Sequence, residues 1–281
     1  MSRLYETLRR MELQRGKSNP IEIASLAPVD LVNAAMAQPA EIDGVPFVEP
    51  EISPATRLVA ITEPRGLAAE KFRALVTRLE NRRKEHELKS LQITSAVAME
   101  GKTLVAGNLA LTLSKHTGSR VLLVEGDLHR PTMASLLGLN QLSGIGQWWS
   151  APEGKDNMSA YVCRFKQYPL WFLPAGVATD QPSHILQSAR FAEAFTRLAA
   201  SFDWVVVDST PILPVVDTNV WSRLVDGTLL VVREGVTSIA SLKKALTTLD
   251  NPKLIGIALN EASEFDRINY GDQYYALNRP K

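Results

Sequence analysis

The sequence predicts an α/β fold, a mostly parallel central sheet with helices on both faces, and three observations predict it. From Arg57 onward, short apolar runs alternate with longer stretches of helical periodicity, the order that builds parallel strands joined by crossover helices. Runs such as Val121-Leu122-Leu123-Val124 and Val205-Val206-Val207 are unbroken, as strands covered on both faces should be. Both of these runs lead straight into acidic residues, the pattern of a sheet whose carboxyl edge holds a ligand. A chain of 281 residues, 45% hydrophobic and 22% charged, is long enough for one large domain of this kind with extensions.

Taken in chain order, residues 2–14 place Leu4, Leu8 and Met11 on one helical face with Arg3, Arg9 and Arg10 elsewhere, which predicts a basic amphipathic helix over residues 1–16. Packing on its own domain and docking on a partner or an anionic membrane suit that helix equally. Residues 17–56 are rich in Pro, Ala and acidic side chains without sustained periodicity and read as a linker or loosely held arm. The main domain is expected over 57–267 and a flexible tyrosine-bearing tail over 268–281. Apolar runs predict strands at 90–94, 120–125, 171–174, 204–208, 227–232 and 254–259. Helical spacing predicts helices at 67–84, 103–115, 131–137, 189–201, 218–224 and 238–249, with Pro131 suited to a first turn.

The segment Ala96-Val97-Ala98-Met99-Glu100-Gly101-Lys102-Thr103 fits the phosphate-cradling loop pattern with Ala in the first Gly position. It lies after a strand and before a helix, so consecutive backbone N–H groups would point at a phosphate from a helix N-terminus. The fold is therefore expected to be P-loop NTPase-like, and Ala98, Met99, Glu100, Gly101, Lys102, Thr103 and Leu104 are the candidate nucleotide-binding residues. Lys102 would reach the β- and γ-phosphates as a point charge, and the Thr103 hydroxyl would help coordinate Mg²⁺.

Glu125 and Asp127 follow the second strand run and are expected to face those phosphates, with Asp127 holding the metal or taking a proton. Asp208 closes the run 204–208 and is placed like the strand-terminal Asp that positions Mg²⁺ in P-loop enzymes. Singly, each is an ordinary turn or cap residue; three acidic strand ends beside a phosphate loop make a metal–phosphate constellation.

Composition narrows the remaining classes. A formal net charge of +1 argues against a surface built to hold nucleic acid. The single cysteine, Cys163, excludes an internal disulfide framework and a multi-cysteine metal site, and suits a reducing cytoplasm. No run approaches the roughly eighteen apolar residues needed to cross a bilayer, and the N-terminus lacks an export signal's apolar stretch.

The P-loop, the Asp127-Leu128-His129-Arg130-Pro131 motif, the strand end Asp208-Ser209-Thr210-Pro211 and a tyrosine-bearing tail together resemble the bacterial tyrosine kinases of capsule and exopolysaccharide synthesis, over about residues 58–277. Pro182-Ser183-His184-Ile185-Leu186-Gln187-Ser188 looks like a family segment as well, and Asn260 resembles an asparagine that contacts adenine in related ATPases. The resemblance implies ATP and Mg²⁺ as cofactors and transfer of the γ-phosphoryl group to tail tyrosines of a neighbouring subunit, hence a homo-oligomer. The acceptors would be Tyr270, Tyr274 and Tyr275, three of the six tyrosines, in the last twelve residues. It implies Lys102, Glu125, Asp127 and Asp208 as catalytic residues, with Asp127 orienting or deprotonating the phenol, and Thr103, Asp127 and Asp208 as metal ligands. It further implies a cytoplasmic protein held at the inner membrane by a membrane-anchored polysaccharide co-polymerase or chain-length regulator. The chain departs from the family pattern at Glu125, where Asp is usual, at His129 in place of Arg, and at Val76, the third position of a Glu70-x-x-Arg73-x-x-Arg oligomerisation motif. Two other readings share the P-loop: a switch ATPase of the partitioning and cell-division type, whose extra loop lysine is Val97 here, and a non-catalytic ATP-binding adaptor.

Overall fold

The computed structural model describes residues 42, 44–139, 141–152, 157–177, 179–213, 217–249 and 253–262. The helix expected over 1–16 and the tail with Tyr270, Tyr274 and Tyr275 lie outside the described residues.

The unbroken apolar runs become the centre of the sheet. Strands β2 (Ser90–Ser95), β3 (Val121–Glu125) and β6 (Trp204–Asp208) are buried at every residue. With β1 (Phe47–Val48), β4 (Cys163–Phe165), β5 (Leu170–Leu173), β7 (Gly227–Arg233) and β8 (Leu254–Asn260), they form an eight-stranded sheet among the described residues, in the order β1-β4-β5-β3-β6-β2-β7-β8. Neighbours pair parallel except β4 with β5. The α/β, mostly parallel, P-loop NTPase-like reading therefore holds.

Alternation along each strand sends side chains to two cores. Val121 and Leu123 join Leu91, Ile93 and Val206 under helices α1 (Val59–Thr62), α2 (Leu67–Glu85) and α3 (Lys102–Thr117). Leu122 and Val124 join Val205, Val207 and Trp171 on the opposite face. There they meet α5 (Ile145–Ser150), α6 (Pro182–Gln187), α7 (Ala189–Ala200) and α8 (Asp217–Leu224), through Trp148, Ile185, Phe191, Phe195 and Trp221. Helix α9 (Ile239–Leu249) covers β7 on this same side with Leu242, Ala245 and Leu249 against Leu230 and Val232. Short α4 (Met133–Leu136) completes the first core with Met133.

Four expectations change. The stretch read as linker ends in the domain: Phe47–Val48 pairs with β4, and Val48 and Ile52 pack on the core, because that edge offers unsatisfied strand amides and apolar cover. The helix expected at 131–137 shrinks to Met133–Leu136, with Thr132 at the N-cap position but making no side-chain capping bond, so Pro131 precedes it. Elements β1, β4, α1, α5, α6 and a 3₁₀ turn at Met158–Tyr161 had no periodic signal. Val76, at the position where a surface arginine was the pattern, is buried in the core between α2 and the sheet. Among the described residues no helix is long and apolar enough to cross a membrane.

Candidate nucleotide-binding site

Parallel register brings the acidic strand ends together. Asp208 pairs with Glu125 on one side and with Ile93 of β2 on the other, so the carboxyl ends of β3 and β6 lie level beside the strand that feeds the phosphate loop.

The loop leaves β2 at Ser95 and enters α3 at Lys102 with two residues in left-handed backbone, Met99 at φ 67° and Gly101 at φ 90°. Gly101 is required there on two grounds: its φ favours glycine, and a Cβ would stand 2.2 Å from Asn260 Nδ2. Its tip is braced from the ends of β7 and β8. Asn260 Nδ2 donates to Glu100 O at 3.0 Å, and Arg233 Nη1 donates to Met99 O at 3.2 Å. The Glu100 side chain turns inward, where Oε2 accepts from Val97 N at 2.9 Å and Oε1 accepts from the Thr237 hydroxyl. Ala98 and Met99 are left exposed, and Leu104 packs partly buried against the first core.

Lys102 Nζ lies 3.0 Å from Asp127 Oδ2 and 3.4 Å from Asp208 Oδ1, all three side chains nearly buried. It also approaches Thr103 Oγ1 at 3.3 Å. Burial works against the ammonium, but Asp208 and Asp127 outweigh it and raise the lysine's pKa. Asp208 is pushed up to about 6 by burial, against the pull of Lys102 and a hydrogen bond with Thr103. Among the described residues its buried Oδ2 has no hydrogen-bond partner. A buried, unpartnered carboxylate oxygen beside a hydroxyl and a second carboxylate is the donor set a small hard cation takes when substrate phosphates and water supply the other positions. Among the described residues no group of three or more His, Cys, Asp or Glu is arranged to hold a metal ion. Thr103, Asp127 and Asp208 therefore fit Mg²⁺, and the loop amides fit its nucleotide.

Glu125 does not join this cluster. Its Oε1 accepts from Met133 N at 2.6 Å and Ala134 N at 3.1 Å, and its Oε2 accepts from Ala175 N at 3.0 Å. The extra methylene carries the carboxyl group past the site to the start of α4 and the exit of β5, so the expectation that it faces the phosphates is corrected. Asp127 stays at the site, its Oδ1 accepting from Arg130 N at 3.0 Å. Asn260 contacts the loop backbone itself, an arrangement that its resemblance to an adenine ligand did not foretell. Sequence reading also missed the pair His129 Nε2 and Asp217 Oδ2, 2.8 Å apart, which ties the loop after β3 to the start of α8. No local motif marks Asp217. Arg233 and Thr237 were equally silent in the sequence, since their partners lie in the loop more than a hundred residues earlier, 134 and 137 positions away.

No family model matches the chain. Across curated proteins it is 32% identical over 221 residues to the tyrosine-protein kinase YwqD of Bacillus subtilis (strain 168), covering 78% of this chain and 90% of that one. It is 30% identical over 201 residues to the putative tyrosine-protein kinase CapB of Staphylococcus aureus, covering 71% and 86%. Among solved structures, the kinase domain of the Escherichia coli tyrosine kinase ETK superposes with a TM-score of 0.67 at 28% identity, over 72% of this chain and 79% of that domain.

Proposed function

Because the chain belongs to the bacterial tyrosine kinases of capsule and exopolysaccharide synthesis, we propose that it is an ATP-dependent tyrosine autokinase whose acceptors are Tyr270, Tyr274 and Tyr275 on a neighbouring copy. The observation that carries this reading is the lysine of a P-loop held between Asp127, just past β3, and Asp208, the last residue of β6, whose Oδ2 has no hydrogen-bond partner among the described residues.

Mg²⁺, bound by Thr103, Asp127 and Asp208, would supply charge neutralisation on the β- and γ-phosphate oxygens. The chain's own groups do the rest. Amides from Ala98 to Leu104 cradle the phosphates, and Lys102 turns from the aspartates to the phosphate oxygens, where a mobile ammonium offsets developing charge. As Lys102 leaves it, the Asp127 carboxylate is released to orient the incoming phenol and accept its proton. The phenolic oxygen forms its bond to the γ-phosphorus while the bond from that phosphorus to the oxygen bridging to ADP breaks. Phosphorylated tails would then repel one another and the acidic site, loosening the assembly.

A membrane-anchored co-polymerase fits as the activating partner, which would hold the protein at the inner membrane. Relatives with names such as the succinoglycan biosynthesis transport protein ExoP of Rhizobium meliloti support that setting. Purified full-length protein incubated with Mg-ATP and blotted for phosphotyrosine tests the reading: labelling is expected in the wild type and lost in Lys102→Ala and in a deletion of residues 268–281. ATP hydrolysis with no labelling would replace it by a switch ATPase.

A further inference from the structure

Glu100 is fully buried within the loop that receives a polyanion, an unusual place for a carboxylate. Both of its oxygens shape the backbone. One accepts from Val97 N and folds the loop across three residues; the other accepts from Thr237 Oγ1, whose own oxygen accepts from Arg233 N at 2.9 Å. The chain Arg233 N, Thr237, Glu100, Val97 N thus fixes the loop to the end of β7. No cation balances the charge: among the described residues none pairs with Glu100, Lys102 is engaged by Asp127 and Asp208, and the Arg233 guanidinium is engaged by Glu261.

We propose that Glu100 is the positioning residue of the phosphate loop, and that its uncompensated charge holds nucleotide affinity below what the loop geometry alone would give. The two contributions have opposite signs. Geometry favours binding, because the hydrogen bonds of the carboxylate preorganise the amides that meet the phosphates. Charge opposes it, because a negative group in a low-dielectric loop repels the incoming phosphates. A weakened grip suits a kinase, since it speeds release of ADP.

Glutamine separates the two contributions. Its carbonyl accepts from Val97 N and its amide donates to the free lone pair of Thr237 Oγ1, so Glu100→Gln keeps the shape and drops the charge. The inference rests on the nucleotide-binding reading, and calorimetric titration of Mg-ATP into full-length variants tests it. Glu100→Gln is expected to bind roughly tenfold tighter than the wild type, an effect of one nearby unit charge, with a smaller gain for ADP and none for adenosine. Thr237→Val, which keeps the charge, is expected to bind roughly tenfold weaker through the lost hydrogen bonds, Thr237→Ser to match the wild type, and Glu100→Ala, which loses both the charge and the hydrogen bonds, to bind more weakly than Glu100→Gln. Folded Glu100→Gln that binds no tighter would overturn the role of the charge, and Thr237→Val with wild-type affinity would overturn the positioning. Absence of binding by the wild type would instead sink the kinase reading, so the two failures are distinguishable.

Discussion

The Lys102 ammonium lies 3.0 Å from the Asp127 carboxylate, both side chains withdrawn from water. Removing one partner of a buried pair strands the other's charge, and here two aspartates depend on a single lysine. Lys102→Met is therefore expected to lower unfolding free energy by about 3 kcal/mol as well as to abolish nucleotide binding. Chemical denaturation at neutral pH checks the first effect. A variant as stable as the wild type would show that the aspartates are not stabilised by this lysine.

Glu125 is a structural carboxylate whose three main-chain donors come from two separate segments. Glu125→Ala leaves buried N–H groups unpaired and is expected to destabilise the protein by about 3 kcal/mol. Glu125→Asp, one methylene short, cannot hold both segments and should fall between. Urea midpoints give the order, and an alanine variant with an unchanged midpoint would return Glu125 to the list of candidate catalytic groups.

Gly126 lies between Glu125 and Asp127 under the Trp221 ring, whose Nε1 donates to its carbonyl at 3.1 Å. A Cβ would stand 2.8 Å from both Trp221 and Val207. Gly126→Ala is expected to cost about 2 kcal/mol as an overpacked core, and to displace Asp127 enough to weaken Mg-ATP binding. Tryptophan fluorescence and calorimetry on the same sample read both effects.

Burial pushes the Cys163 thiol up to about 12. In the unfolded chain the thiol ionises near its ordinary value of 9.0, while the folded thiol keeps its proton. From there to about 12 the unfolded state binds fewer protons, so stability falls as pH rises. Cys163→Ala should lack this contribution. Melts at pH 8 and pH 10 are expected to show a smaller loss for the variant, and equal losses would contradict the assignment.

Legibility in the sequence followed the range of the interactions. Strands β2, β3 and β6 and the loop from Ala96 to Thr103 announce themselves locally, through unbroken apolar runs and a motif of fixed spacing. The edge strand at Phe47 has no such signal; its place is set by β4 and by Arg164, whose guanidinium lies 5.4 Å from the Phe47 ring and 4.7 Å from the Trp171 ring. Glu125 reads as an active-site acid because its position along β3 is right. Only the backbone of residues 133–134 and 175 reveals that the longer side chain goes elsewhere. Asn260 and Glu100 meet across 160 positions and His129 and Asp217 across 88, separations that one sequence without a fold does not connect.

The central claim is that Lys102, Asp127 and Asp208 at the end of the phosphate loop hold a magnesium–nucleotide complex. Isothermal titration of Mg-ATP into the folded full-length protein tests it most directly, with Lys102→Ala alongside. Saturable binding with one site per chain, lost in the variant and weakened on chelating magnesium, is expected; folded wild-type protein that takes up no nucleotide, or a variant that binds equally well, would contradict it.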